Sequence, residues 1–186
     1  MRFRTSTTVF LIACCCMLAP SVAAAQDPGG GQAFGEPNPA LVPAVVGAKA
    51  KMLPNGLAAA PQDAPPAVQQ AIWSANEIIG LPYRYGGGHR SFQDTAFDCS
   101  GTVSHALGGA NLLQAPLDSS SFMSWGAAGR GSWITIFTNP GHAYTVIAGL
   151  RLDTSAADDP RGLAGPRWRP LRHSNAGYRV RHPVGL

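Results

Sequence analysis

The sequence predicts an α+β domain with helices first and an antiparallel sheet after them. Three observations point that way. Apolar residues recur at helical spacing over 67–79. A second helix is expected from residue 99 to about 113. From residue 132 the pattern changes to short alternating runs separated by turn residues. Helices followed by strands give an α+β pattern rather than an alternating α/β one. The 120 residues from 67 to 186 suffice for one modest core.

The first 25 residues are set apart. Arg2 and Arg4 form a positive start, Val9 opens an apolar run to Leu18, and Ala23, Ala24 and Ala25 offer a small-residue cleavage site. The run is short and soon followed by Pro20, so a cleaved secretory signal is expected rather than a membrane span. Leu11-Ile12-Ala13-Cys14 also resembles a lipobox, which leaves a lipidated Cys14 as the alternative. Residues 26–66 hold eight prolines, six glycines and a single aromatic residue, Phe34. A linker is expected there, because such a composition buries too little apolar surface to offset its ordering entropy. The short apolar patches 40–46 and 56–60 leave some packing onto the domain open.

Val68, Ile72, Ala75 and Ile79 define the first helix; Pro65 and Pro66 suit its start, and Gly80 and Pro82 its end. The glycine-rich run 82–88 is built for tight turns. Asp98 is placed to cap the second helix. Residues 114–131, rich in serine and glycine, are expected to be irregular. Strands are expected over 132–138, 142–148, 150–154 and 178–182, with Asn139-Pro140-Gly141 turning the chain between the first two.

The formal net charge of +4 falls to +2 without Arg2 and Arg4, and the remaining basic residues form no dense cluster. Arg167, Arg169, Arg172, Arg179 and Arg181 are loosely grouped and expected on a solvated surface. No nucleic-acid binding is expected, and no cysteine pair or histidine spacing suggests a metal or cofactor.

If residues 1–25 are removed, Cys14, Cys15 and Cys16 go with them and Cys99 is the one cysteine left. It is then either a small buried hydrophobe or a reactive thiol. Its place at a predicted helix N-terminus favours the second, because unpaired amides and the helix dipole favour a thiolate there. A nucleophile needs a base. Among five histidines, His105 falls about 120° around the helix from Cys99 and is expected on the surface or lightly packed. His89, His173 and His182 read as polar surface residues. His142 opens a strand after a turn, where it can face a cleft. If Ala148-Gly149 is a two-residue turn, Ile147 pairs with Leu150, and Asp153 becomes the diagonal neighbour of His142 on one face. A carboxylate there orients an imidazole as in a triad. A Gly149-Leu150 turn is also open at this point and moves Asp153 a step further away.

The order of Pro82-Tyr83-Arg84-Tyr85-Gly86-Gly87, Asp98-Cys99-Ser100-Gly101 and Gly141-His142-Ala143 resembles the NlpC family of papain-like cell-wall cysteine peptidases. The resemblance covers roughly residues 72–154. It implies a papain-like fold, Cys99 as nucleophile, His142 as base, a third polar residue at Asp153, and Tyr83 helping to form the oxyanion site. It further implies hydrolysis of amide bonds in peptidoglycan stem peptides. With the expected signal, a secreted or envelope-associated location is expected, and a monomer. On that reading residues 67–186 are the peptidase domain. Departures accompany it: Asp153 rather than histidine at the third position, a long loop over 89–96, and a tail over 155–186 beyond the family's usual end. Related acyl transfer on a non-peptidoglycan amide or ester, or wall binding without catalysis, are the alternatives.

Overall fold

The computed structural model describes residues 42–157, 159 and 161–186. The expected signal and the first part of the expected linker lie outside the described residues.

Residues 42–66 are packed onto the domain where a linker was expected. Strands β1 (Ala44–Val45), β2 (Lys51–Met52) and β3 (Ala58–Pro61) form a small sheet in the order β1-β3-β2. Ala58, Ala59 and Ala60 are buried. Helix α1 (Pro66–Ile78) is what holds them. From it, Trp73 Nε1 donates to Pro43 O at 3.1 Å and Gln69 Nε2 to Pro61 O at 3.2 Å. Asn76 clasps β3 from both sides, accepting from Ala58 N and donating to Ala58 O, each at 2.9 Å. The same Oδ1 accepts from Trp168 Nε1 at 2.9 Å, so one buried amide joins the N-terminal sheet, α1 and the C-terminal strands. Changing Asn76 to leucine keeps the branched heavy-atom skeleton, with somewhat larger bulk, but strips partners from buried amide, carbonyl and indole groups. Unfolding in urea should show a loss of about 3 kcal/mol or more, at roughly 1–3 kcal/mol per orphaned group.

Helix α2 (Cys99–Gly109) begins where expected but stops short of residue 113. Asp98 is its N-cap, with Oδ1 accepting from Gly101 N at 2.8 Å. The two helices pack together, with Val68, Ala71, Ile72 and Ala75 meeting Val103, Ala106 and Leu107 in one core cluster. His105 belongs to this core rather than the surface. It is buried, with Nδ1 2.5 Å from Phe92 O and Nε2 3.0 Å from Ser74 O. The segment 114–131 is more ordered than expected: a one-turn helix α3 (Ser119–Phe122) and strand β4 (Ala127–Ala128) fall inside it.

The main sheet is antiparallel, in the order β4-β9-β5-β6-β7-β8, where β5 is Ile134–Asn139, β6 His142–Ile147, β7 Leu150–Asp153, β8 Arg167–Arg169 and β9 Arg179–His182. Ile134, Ile136, Ala143, Ile147 and Leu152 join the helices' core cluster. The expected α+β arrangement is therefore the one observed. No helix among the described residues is long and apolar enough to cross a membrane. The tail is part of the sheet rather than an appendage, since β8 closes one edge and β9 lies between β4 and β5. Alternation puts Phe137, Tyr144, Arg151, Asp153 and Arg169 on the opposite side of the sheet from the Ile136 and Leu152 side chains. Residues of the tail cover that side: Arg172 stacks over Tyr144 and Tyr178, 5.6 and 5.8 Å from their ring centres. Arg151 and Arg169 are consequently buried, although the tail arginines read as a solvated surface in the sequence.

Candidate active site

Three local features bring the candidate residues together. The first is backbone pairing between the glycine-rich run and the approach to α2. Tyr83 bridges Phe97 in parallel fashion, with Phe97 N donating to Pro82 O at 3.1 Å and Arg84 N to Phe97 O at 3.3 Å. Gly101 is needed for this approach, because a Cβ there would lie 2.0 Å from Gly87 O. Tyr83 is thereby carried beside Cys99. Burial, followed by the negative charges of Cys99 and Asp98, pushes its phenol above the ordinary value. The hydroxyl stays protonated and able to donate.

The second is the hairpin after His142. Ile147 pairs with Leu150 and Thr145 with Leu152, so Ala148-Gly149 is the turn and the Gly149-Leu150 alternative is not adopted. Both turn residues have positive φ, 46° and 90°, as a type I′ turn requires. In this register Asp153 is the diagonal neighbour of His142, and its Oδ1 lies 2.9 Å from His142 Nε2. The carboxylate oxygen accepts, so Nε2 carries the proton.

The third is the junction of β5 and β6. Asn139 pairs with His142 across Pro140-Gly141, which sets the imidazole at the first position of its strand. Its side-chain hydrogen-bond partner is Asp153, and the Cys99 side chain lies close enough to act on the same ring. With Nε2 committed to Asp153, Nδ1 is the nitrogen available to the thiol. Partial burial works against the imidazolium, but the hydrogen bond to Asp153 and the interactions with the neighbouring Cys99 and with the negative charge of Asp153 outweigh it, and the His142 pKa rises to about 9. Asp153 responds in the opposite sense. Burial pushes its carboxyl up, yet the bond from His142, the Ser155 amide at 2.9 Å and the nearby cations hold it below its usual value.

Asp153 is almost fully buried and sits among cations: Arg151 Nη1 is 3.5 Å and Arg172 Nη1 3.9 Å from Oδ2. Arg169 Nη1 donates to the Asp153 main-chain oxygen. Tyr83, His142, Thr154, Ser155, Ala156 and Ala164 line a cleft of about 240 Å³ over this group. Cys99 itself is largely buried, and it is the free cysteine among the described residues.

Two parts of the site escaped sequence reasoning. Arg172 read as a solvated surface cation, and Arg151 was given no role; the hint was Arg151 within the short expected strand 150–154. His89 read as a surface residue, yet its Nε2 lies 3.0 and 2.9 Å from the two oxygens of Asp98, next to Cys99. The long loop 89–96 folds inward rather than projecting: Phe92 packs against α2, and Arg84 pairs with Asp94 at 2.6 Å.

No protein-family model matches the chain, and none of the curated proteins does. Among solved structures, the chain is similar to the peptidoglycan hydrolase RipB of Mycobacterium tuberculosis, at 26% identity over 64% of this chain and 66% of that one, with a TM-score of 0.48. It is similar to the resuscitation-promoting-factor-interacting protein RipA in a mutated form, at 25% identity over 62% of each chain and a TM-score of 0.45. It is also similar to RipD of Mycobacterium tuberculosis, described as a non-catalytic NlpC/p60 domain protein adapted to peptidoglycan binding. There the identity is 17% over 64% of this chain and 98% of that one, with a TM-score of 0.46. The chain spans slightly less than two thirds of the RipB and RipA structures. NlpC/p60, the family named for RipD, is the one that the order of motifs resembles.

Proposed function

We propose that the chain is an exported cysteine peptidase or amidase of the NlpC type, and that it hydrolyses amide bonds in the stem peptides of peptidoglycan. One observation carries the reading: a single imidazole, His142, sits between the Cys99 thiol and a buried, charge-compensated carboxylate, Asp153. That is the nucleophile–base–orienter arrangement of covalent acyl transfer.

The Cys99 thiolate attacks the carbonyl carbon, and His142, as imidazolium, protonates the departing amine while the C–N bond breaks. The tetrahedral oxyanion is held by the Cys99 backbone N–H and the Tyr83 hydroxyl, each donor contributing roughly 3 kcal/mol. Water then attacks the thioester, giving its proton to His142 and releasing the acid and the thiolate. Asp153 keeps Nε2–H in place throughout, so that Nδ1 faces the sulfur. Peptidoglycan as the substrate class is supported by the motif resemblance and agrees with the activity named for RipB. It places the working protein outside the cytoplasm, as the signal-like residues 1–25 also suggest.

Digestion of purified muropeptides, followed by mass spectrometry, tests this. The unsubstituted chain should release new amino termini, and Cys99→Ala should cut the rate by at least about a thousandfold. Intact muropeptides alongside turnover of another amide or ester would move the substrate elsewhere. Retention on insoluble peptidoglycan without any cleavage would replace hydrolysis by binding.

A further inference from the structure

The loop ahead of α2 ends in a contact that the acyl-transfer scheme does not use. His89 Nε2 approaches three oxygens at once: Asp98 Oδ1 at 3.0 Å, Asp98 Oδ2 at 2.9 Å and Ser100 Oγ at 3.0 Å. Serine, histidine and aspartate in contact invite comparison with a hydrolase triad, but the geometry excludes it. A triad needs the serine on one ring nitrogen and the carboxylate on the other. Here both meet the same nitrogen, and Ser100 Oγ donates to Asp98 Oδ1 at 3.2 Å. Ser100 is a strut rather than a second nucleophile.

What the contact does follows from what Asp98 holds. Its Oδ1 accepts from Gly101 N at 2.8 Å, inside the first turn of the Cys99 helix. Its Oδ2 accepts from Gly86 N at 2.9 Å, in the arm that carries Tyr83. Its main-chain N–H donates to Gly87 O at 3.2 Å. The carboxylate is almost wholly buried, and both oxygens act as acceptors, so His89 Nε2 must be the donor. His89 thus closes the far end of the arm onto the same carboxylate that starts the helix. The two groups assigned to the oxyanion, the Tyr83 hydroxyl and the Cys99 N–H, lie on opposite sides of this joint.

We propose that His89 is a positioning residue for the oxyanion pocket, holding the Tyr83 arm in register with the first turn of the Cys99 helix through its Nε2–H. The inference rests on the acyl-transfer reading above. Small displacements of such donors are costly, because their value depends on fitting the oxyanion rather than the ground-state carbonyl.

The test separates acylation, which develops an oxyanion, from alkylation, which does not. With p-nitrophenyl acetate, the thiolate displaces p-nitrophenolate and leaves an acetyl thioester, so the burst rate reports acylation. Iodoacetamide loses iodide to the same sulfur and reports its nucleophilicity alone, read on the Cys99 peptide by mass spectrometry. His89→Ala should slow acylation about tenfold while leaving alkylation within about twofold. His89→Gln, which keeps a donor at the reach of Nε2, should recover acylation to within about threefold of the unsubstituted chain. Unchanged acylation in His89→Ala, an equal fall in both rates, or a glutamine variant as poor as alanine would overturn the assignment. An unsubstituted chain that alkylates but never acylates would sink the acyl-transfer reading, and this inference with it. That result is told apart because it appears without any substitution.

Discussion

Replacing His142 with alanine should slow alkylation of Cys99 by iodoacetamide about a hundredfold near neutral pH, the lower end of what a positioned general base contributes. The gap should close as pH rises. The reason lies in the two partners of the imidazole. Asp153 and Cys99 both favour the cation, so the ring stays charged until pH reaches about 9. Below that, the ring carries a positive charge beside the reacting sulfur; above it, the ring is neutral and its removal costs the reaction little. The same shift makes a statement about folding. A histidine whose folded pKa lies above its unfolded value of 6.5 contributes stability that is fully present below 6.5 and is lost as pH rises through about 9. Thermal unfolding of the unsubstituted chain should therefore lose ground to the His142→Ala variant between pH 7 and 10. Alkylation rates that coincide at neutral pH would remove His142 from the chemistry and leave Cys99 as a packed thiol.

Much of this site was legible because its parts are local. Asp98 one residue before a helix, a Pro-Gly turn before His142 and a two-residue turn before Leu150 each act through a few neighbouring backbone groups. The diagonal placement of Asp153 followed from the turn alone, and the observed pairing of Ile147 with Leu150 is the one it requires. What stayed hidden depends on distant segments. Ala58–Pro61 carries no strand alternation, and it is a strand because Asn76 and Trp73 of α1 supply partners to it and its neighbours. His105 was assigned by its angle around the helix, but Phe92 and Ser74, from two other segments, close over it. Arg169 reads as a surface residue until the chain around 155–166 returns. Its guanidinium then meets Asp159 at 3.1 Å, Leu163 O at 2.6 Å and the Asp153 carbonyl. His89 offered no signal beyond its proximity in sequence to the Asp98-Cys99 pair.

Asp153→Asn should have the other large effect, and it should separate orientation from charge. Asparagine keeps the size of the side chain, and its oxygen can still accept from Ser155 N. Near neutral pH, however, it cannot favour the imidazolium, and an amide nitrogen turned toward His142 would select the wrong tautomer. Turnover of an acyl substrate should fall by a factor on the order of 10²–10⁴. Stability should fall as well, since Arg151 is fully buried and the Asp153 carboxylate lies 3.5 Å from it. Removing one partner of a buried ion pair typically costs about 3–5 kcal/mol, because the other charge remains. The pH dependence has a definite sign. The Asp153 carboxyl is held below its usual value, so its contribution is present above the unfolded value of 3.8 and disappears as pH falls through the folded one. Urea unfolding should then show the variant markedly weaker at neutral pH, with the gap to the unsubstituted chain narrowing as pH falls below 3.8 and through the folded value. A variant of full stability but low turnover would mean that Arg151 and Arg172 find other acceptors, and that Asp153 serves orientation alone. A variant of full turnover would mean that His142 is held without it, and the triad would shrink to a Cys99–His142 pair.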